Sequence, residues 1–402
     1  MIHTEVRIRM PDGSRLPCGE MVTAGADSRG ALRGAFRYAD SYLSYPNAFA
    51  LDPNQLPLSV EERVTDRPSG IHAVFEDALP DDWGRRLLIR KGKLRRGEQT
   101  PARMLHIIGD GGLGALSFYP VGSRSTAPAD ANMPELNSLL EAAYRYDAGK
   151  SIDAGDLALL FRAASSPGGA RPKALIRDDS GDQWIAKFPS VRDDMDMIAI
   201  EAATLALARR AGLTVPDYVV KKVGRRSVLF VRRFDVLPHG GRRHMISAQT
   251  LLAAEGYYVL GYGDLFHAVR KITAKPSIDL PFLFRQMVFN AAVGNTDDHL
   301  KNFTILHDDT GFFLSPAYDL LPDTANRREH VLYFFTDHLP PDRDTLMRMA
   351  SQWRIRKAGE IIDAAIDVVL SWESVFKEHQ VPQDNIRRLA ASIQSRLEKI
   401  GK

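Results

Sequence analysis

Asn295-Thr296-Asp297-Asp298-His299-Leu300-Lys301-Asn302 lies between an apolar segment and a hairpin signal, and its polarity lets it continue neither. Upstream, residues 280–293 are mostly apolar and long enough for a buried helix, which Gly294 breaks. Downstream, Phe303-Thr304-Ile305-Leu306 and Phe312-Phe313-Leu314 flank Asp308-Asp309-Thr310-Gly311, with glycine as the turn residue. Asp319 follows in Ala317-Tyr318-Asp319-Leu320. A buried helix, a polar loop, a hairpin and an acid together carry Asp297, Asn302 and Asp319 towards one point. Carboxylate and amide oxygens are the ligands that a hard cation such as magnesium prefers.

An aspartate, an asparagine five residues on and a second aspartate beyond a hairpin is the spacing of kinase catalytic groups. In that chemistry the first Asp accepts the substrate hydroxyl proton, while the Asn and the later Asp hold magnesium against the ATP phosphates. The spacing also arises by chance in long chains. A hydrolase metal cluster of Asp297, Asp298 and His299 would need further His or Glu ligands at helical or strand spacing, and none stands out.

The neighbouring elements favour phosphoryl transfer. Gln183-Trp184-Ile185-Ala186-Lys187-Phe188 is strand-like, with Ala174-Leu175-Ile176 as its hairpin partner across Asp178-Asp179-Ser180-Gly181-Asp182. Lys187 in such a strand suits an ATP phosphate, although a solvent-facing strand lysine has the same sequence signature. Residues 198–210 form a helix pattern ended by Gly212, with Glu201 in its first half and placed to pair with Lys187. An exposed helix glutamate is the plainer reading of Glu201. Before the hairpin, Ser165-Ser166-Pro167-Gly168-Gly169-Ala170-Arg171-Pro172-Lys173 offers small residues whose N–H groups approach phosphate closely, and cations beside them. It lacks the Walker A spacing.

Together these residues resemble the HipA family, the serine/threonine kinase toxins of bacterial toxin–antitoxin pairs. The family's catalytic loop, N-T-D-x-H-x-K-N, matches residues 295–302 at every fixed position. The resemblance implies ATP and Mg2+ as cofactors, Asp297 as the base, and Asn302 and Asp319 as magnesium ligands. It places Gly168, Gly169, Ala170, Lys173 and Lys187 at the triphosphate, with autophosphorylation at Ser166 or the adjacent Ser165. His299 and Lys301 would assist near the γ-phosphate or brace the loop. The hinge corresponds to Val231-Arg232-Arg233-Phe234-Asp235, where backbone groups at Arg232 and Phe234 would meet adenine. Residues 79–85 and 108–116 are similar to the family's first subdomain. Pro167, Arg171 and Pro172 depart from its glycine-rich loop, and two prolines restrict that backbone. A helix-turn-helix antitoxin like HipB, operator DNA reached mainly through it, and a translation protein such as an aminoacyl-tRNA synthetase are the implied partners.

At 402 residues the chain is long enough for two or three domains with real cores. Hydrophobic content of 44% and charged content of 26% are those of an ordinary soluble protein. A net charge of +3 gives no global nucleic-acid signature. One cysteine, Cys18, leaves no internal disulfide. No apolar run approaches 18 residues and Met1-Ile2-His3-Thr4-Glu5 does not open a signal peptide, so a cytoplasmic location is expected and no membrane role. Arg85, Arg86, Arg90, Lys91, Lys93, Arg95 and Arg96 form a basic run, read first as a solvated helix and loop and second as a contact for phosphate or an acidic partner.

The expected fold class is α+β, a two-lobed kinase-like fold with an N-terminal α/β subdomain. The expected domains are an N-terminal subdomain over 1–125, a small lobe over 135–235 and a helical large lobe over 236–402, with a linker over 122–130. Residues 358–372 and 384–400 read as amphipathic helices, and Trp353 and Trp372 as core. Two rival functions fit part of the pattern. One is a small-molecule phosphotransferase, whose usual H-G-D loop is absent; the other is a catalytically silent module of a repressor complex, against which the intact Lys187, Asp297, Asn302, Asp319 set argues.

Overall fold

The computed structural model describes every residue except 26, 28, 29, 31, 124–130, 133, 134, 164–170 and 402. The expected autophosphorylation sites, Ser165 and Ser166, and the expected triphosphate residues Gly168, Gly169 and Ala170 lie outside the described residues, as does most of the expected linker. The chain divides into two compact units. The first holds Met1–Val191, Lys221–Ile246 and Leu306–Thr310; the second holds Arg192–Val220, Ser247–Ile305 and Gly311–Lys402.

The first unit is built on two five-stranded sheets. Alternation in β1 (Ile2–Arg9) buries Thr4, Val6 and Ile8 on one face, and Gly13 at φ 88° turns the chain into β2 (Arg15–Thr23). With β3 (Gly34–Tyr38), β4 (Arg63–Thr65) and β5 (Leu116–Pro120) the order is β4-β3-β2-β1-β5. Two full helices, Asp82–Lys91 and Pro101–Ile108, accompany this sheet, and Pro101 opens the second where no N–H partner is needed.

The second sheet runs β6 (Ala131–Asn132), β7 (Lys173–Arg177), β8 (Gln183–Lys187), β10 (Arg226–Arg232) and β9 (Tyr218–Val223). The β7–β8 hairpin forms as its alternation indicates, with Ala174 opposite Ala186. Its turn is held by Asp178, whose carboxylate accepts from Ser180 and Asp182 N–H at 3.0 and 2.9 Å and from Trp184 Nε1 at 2.8 Å. Leu139, Leu140, Ile176, Phe188 and Phe230 pack into the core beneath it.

The second unit is mostly helical. Met197–Arg210 ends at Gly212 (φ 80°), as read. Pro276–Val293 begins four residues before the expected Leu280, because Pro276 occupies the first helical position at no hydrogen-bond cost. The helix expected over 358–372 is two, Ala358–Val369 and Trp372–Glu378. Between them Ser371 Oγ donates to Val368 O at 2.7 Å, and a side chain competing for a backbone carbonyl ends the first helix there. Tyr262–Ile272, Arg343–Trp353 and Gln383–Gly401 complete the set, with Trp353 stacked on Phe266 at 3.8 Å in the core. β11 (His244–Ser247) leads into a single helical turn that Ser247 caps by accepting the Thr250 N–H at 3.1 Å. β12 (Thr304–Asp308) and β13 (Gly311–Leu314) are the hairpin that follows the polar loop. Among the described residues no helix is long and apolar enough to cross a membrane.

Candidate active site

Gly294 closes its helix in the left-handed conformation, φ 78° and ψ 34°, with its N–H on Asn290 O at 3.0 Å. A Cβ at this position would stand 2.9 Å from Arg396 Nε. The loop then alternates sharply in exposure. Asn295 and Thr296 are buried, Asp297 is exposed, Asp298 is buried and His299 is half-buried. Lys301 is exposed again, and Asn302 ends the short turn Leu300–Asn302.

Two hydrogen bonds fix this turn. Leu300 N–H donates to the Tyr258 hydroxyl at 3.1 Å, and burial drives that phenol upward from its ordinary value. Asn302 Nδ2 donates to Asp297 O at 2.8 Å, which closes the loop on itself. With the nitrogen end of the amide held there, the oxygen end is the one that faces away from Asp297 O. An amide oxygen is among the ligands that magnesium accepts.

Asp319 sits at φ 55°, a left-handed conformation that aspartate tolerates better than most residues. Its neighbour Tyr318 fastens it: the phenol bonds Lys301 O at 2.8 Å and Thr304 Oγ1 at 2.6 Å. The single phenolic proton goes to the carbonyl, so Thr304 must donate to Tyr318. The structure thereby brings the Asp297–Asn302 loop and the Asp319 segment together through a residue that the sequence reading quoted without assigning it a role.

Asp298 does not share the surface with Asp297. Its Oδ2 accepts from Tyr262 OH at 2.7 Å and His330 Nδ1 at 3.0 Å; its Oδ1 accepts from Val331 N at 2.9 Å and Leu332 N at 3.3 Å. A metal trio of Asp297, Asp298 and His299 is therefore not assembled. Among the described residues no group of three or more His, Cys, Asp or Glu side chains lies in ligating proximity.

In the first unit, Lys187 stands opposite both Lys173 on β7 and Leu229 on β10. Directly opposed residues share a face of the sheet, so Lys173, buried, and Lys187, half-buried, lie on one face. At the end of β10, Arg232 is exposed and pairs with Asp182 at 2.7 Å. Phe234 O accepts from Arg243 Nη1 at 2.8 Å. The alternate residues, Arg233 and Asp235, point inward and are buried. Glu201 is a buried residue of the Met197–Arg210 helix in the second unit.

Two family models match the chain: the HipA N-terminal domain over residues 19–119 and the HipA-like C-terminal domain over residues 165–399. Two Sinorhizobium fredii proteins whose names class them as kinases by inference, Y4mE and Y4dM, are similar in sequence. Y4mE is 34% identical over 214 residues, 51% of this chain and 44% of its own length. Y4dM is 26% identical over 264 residues, 61% of each. The chain thus spans about half the length of these relatives. Among solved structures, the Shewanella oneidensis toxin–antitoxin complex of HipA, HipB and operator DNA contains a chain that superposes with a TM-score of 0.69. That match covers 99% of this chain and 97% of the other at 18% identity, and shows a shared fold.

Proposed function

Because this chain belongs to the HipA family and has its two-lobed, kinase-like α+β fold with an N-terminal subdomain, we propose that it is an ATP- and magnesium-dependent serine/threonine-protein kinase, the toxin of a HipBA-like pair. One observation carries the reading. The loop of residues 295–302 exposes Asp297, turns Asp298 inward and closes through Asn302 Nδ2 on Asp297 O at 2.8 Å. That arrangement leaves one carboxylate free to meet a hydroxyl, and the oxygen end of the Asn302 amide for a cation.

In this mechanism Asp297 orients the acceptor hydroxyl and takes its proton as the phosphoryl group transfers. Asn302 and Asp319 would hold magnesium, which when bound neutralises charge on the phosphate oxygens. Lys187 and Lys173, adjacent across β7 and β8, would hold the triphosphate with the 168–170 segment, and Glu201 would orient Lys187. Backbone groups at Arg232 and Phe234 would take the adenine; the Phe234 carbonyl also accepts from Arg243 Nη1 at 2.8 Å. His299 and Lys301 flank the γ-phosphate position. Positioning and electrostatics supply most of the rate in such chemistry. Ser166 or Ser165 is the proposed autophosphorylation site, and a translation protein the proposed external acceptor. A HipB-like helix-turn-helix antitoxin would bind the chain and carry it to operator DNA.

The test is phosphate transfer from labelled ATP with magnesium, wild type against Asp297→Asn, with mass spectrometry of the product. Label on residues 165–166 in wild type, and a loss of about a thousandfold or more in the variant, is expected. ATP binding without transfer to itself or to a host lysate would overturn the kinase reading and favour the silent module. Transfer to a small molecule alone would favour the phosphotransferase.

A further inference from the structure

Behind the exposed Asp297 lies a buried chain of polar groups to which the proposed mechanism gives no part. Asp298 accepts four hydrogen bonds, one of them from His330 Nδ1. The opposite ring nitrogen, His330 Nε2, meets Arg396 Nη1 at 2.8 Å. A guanidinium only donates, so His330 Nε2 must present its lone pair, and the one ring proton sits on Nδ1, facing Asp298. Arg396 is itself held by the carbonyls of Arg327 and Arg328, at 3.2 and 3.4 Å from Nη2. Tyr262 takes Asn290 Nδ2 at 3.1 Å, and Asn290 Oδ1 takes Asn295 Nδ2 at 3.1 Å, which returns the network to the start of the loop. We propose that Arg396, His330 and Asp298 form a tautomer-locked set of positioning residues through which the C-terminal helix Gln383–Gly401 holds the Asp297 backbone in its transfer-competent place. The proposal rests on the kinase reading for its functional consequence, and on geometry alone for the tautomer.

The lock predicts an unusual double variant. In Asp298→Asn the amide replaces one acceptor edge of the carboxylate by donors. Its NH2 must then oppose either the His330 N–H or the Val331 and Leu332 N–H groups, since of the four donors only the Tyr262 hydroxyl can turn to accept. His330 cannot relieve the conflict by moving its proton to Nε2, because Arg396 donates there. Arg396→Gln supplies an acceptor instead. His330 can then carry its proton on Nε2 and receive the new amide N–H on Nδ1. The second change should therefore repair part of the damage done by the first.

The experiment measures kcat and KM for ATP in the full chain, thermal unfolding, and the ring 15N shifts of His330, for wild type, both single variants and the double. Asp298→Asn is expected to lower kcat by about tenfold or more with KM changed by less than about threefold. The double variant should recover roughly threefold over Asp298→Asn although Arg396→Gln alone is slower than wild type, a coupling seen only between interacting residues. The His330 proton should sit on Nδ1 in wild type and on Nε2 in the double. A double variant no faster than the product of the two singles overturns the lock, as does an Nε2 proton in an active wild type. Loss of unfolding temperature with kcat intact would make the network merely structural. A wild type that transfers no phosphate instead overturns the kinase reading and the positioning role, while the ring shifts still report the tautomer.

Discussion

Each unit of the molecule buries an aspartate against arginine, and the two clusters solve the problem differently. In the first unit Asp235 takes a two-pronged fork from Arg233, with Nε at 3.0 Å and Nη2 at 2.6 Å, and also accepts from Gly114 N at 2.8 Å. Arg242 approaches the same carboxylate at 3.4 Å and gives its other nitrogen to Gln183 Oε1 at 3.0 Å. Burial pushes the Asp235 carboxyl upward, but the charges of Arg233 and then Arg242 outweigh it and leave the group below the usual carboxylate range. In the second unit the neutral ring of His330 stands between Asp298 and Arg396. Direct pairing of opposite charges fastens the end of β10 to the glycine turn at 112–114 and says nothing about direction. The interposed imidazole is directional, because its tautomer decides which side donates. A fork suits a joint, and a ring suits a part whose orientation matters.

The widest separation between the clusters is expected on removing the carboxylate. Asp235→Ala takes the counter-charge from the buried Arg233 fork, a loss of about 3–5 kcal/mol. Asp298→Ala strands only neutral groups, an imidazole N–H, a hydroxyl and two amides, which water entering the vacated carboxylate space can reach, and should cost about 2 kcal/mol. Urea unfolding of both variants decides it. Equal losses would mean that the imidazole does not insulate Asp298 from Arg396, and the contrast would fail.

Acid offers a second, somewhat smaller lever through the buried histidines of the first unit. Burial is the leading cause that lowers His72, His244 and His307 there to about 4 each. A base whose folded value lies below its unfolded one binds fewer protons when native. Its contribution is complete above about 6.5 and is lost as pH falls towards 4. For fully buried His244 the effect is roughly 3 kcal/mol over that window. Replacing His244 by Asn should remove about one proton from the slope of stability against pH. An unchanged slope would show that His244 is reached by water in the native state.

How much of this was legible depended on whether the signal was local. The loop of residues 295–302 declared itself through a glycine stop, a polar run and a hairpin, and the β7–β8 pair through alternation around an Asp–Gly turn. The end of β10 did not. Val228, Leu229, Phe230 and Val231 are all buried, so the strand has no period to show which of Arg232 and Arg233 turns inward. The sequence reading named Arg232 and Phe234, and the fold buries the alternate residues, Arg233 and Asp235. Asp298, His330 and Arg396 lie 32 and 66 residues apart, beyond any local pattern. Tyr318 was in view beside Asp319, but a tyrosine in a loop carries no sign of the two oxygens it will bridge.

The smallest stability effect belongs to that tyrosine, and it sharpens the comparison by separating fastening from orientation. Tyr318→Phe removes one donor from Lys301 O, an exposed bond, and one acceptor from Thr304, a part-buried one, so a loss of about 1 kcal/mol is expected. The functional effect should be larger than that figure suggests. Tyr318 ties the left-handed Asp319 to the loop that ends in Asn302, so its removal lets the two proposed magnesium ligands drift apart. The magnesium concentration for half-maximal transfer should then rise severalfold, while Asp298→Asn lowers kcat at unchanged magnesium demand. Should Tyr318→Phe leave the magnesium curve where it was, Asp319 is held by its own backbone conformation. The phenol would then be a fastener like the Asp235 fork, with no part in setting the site.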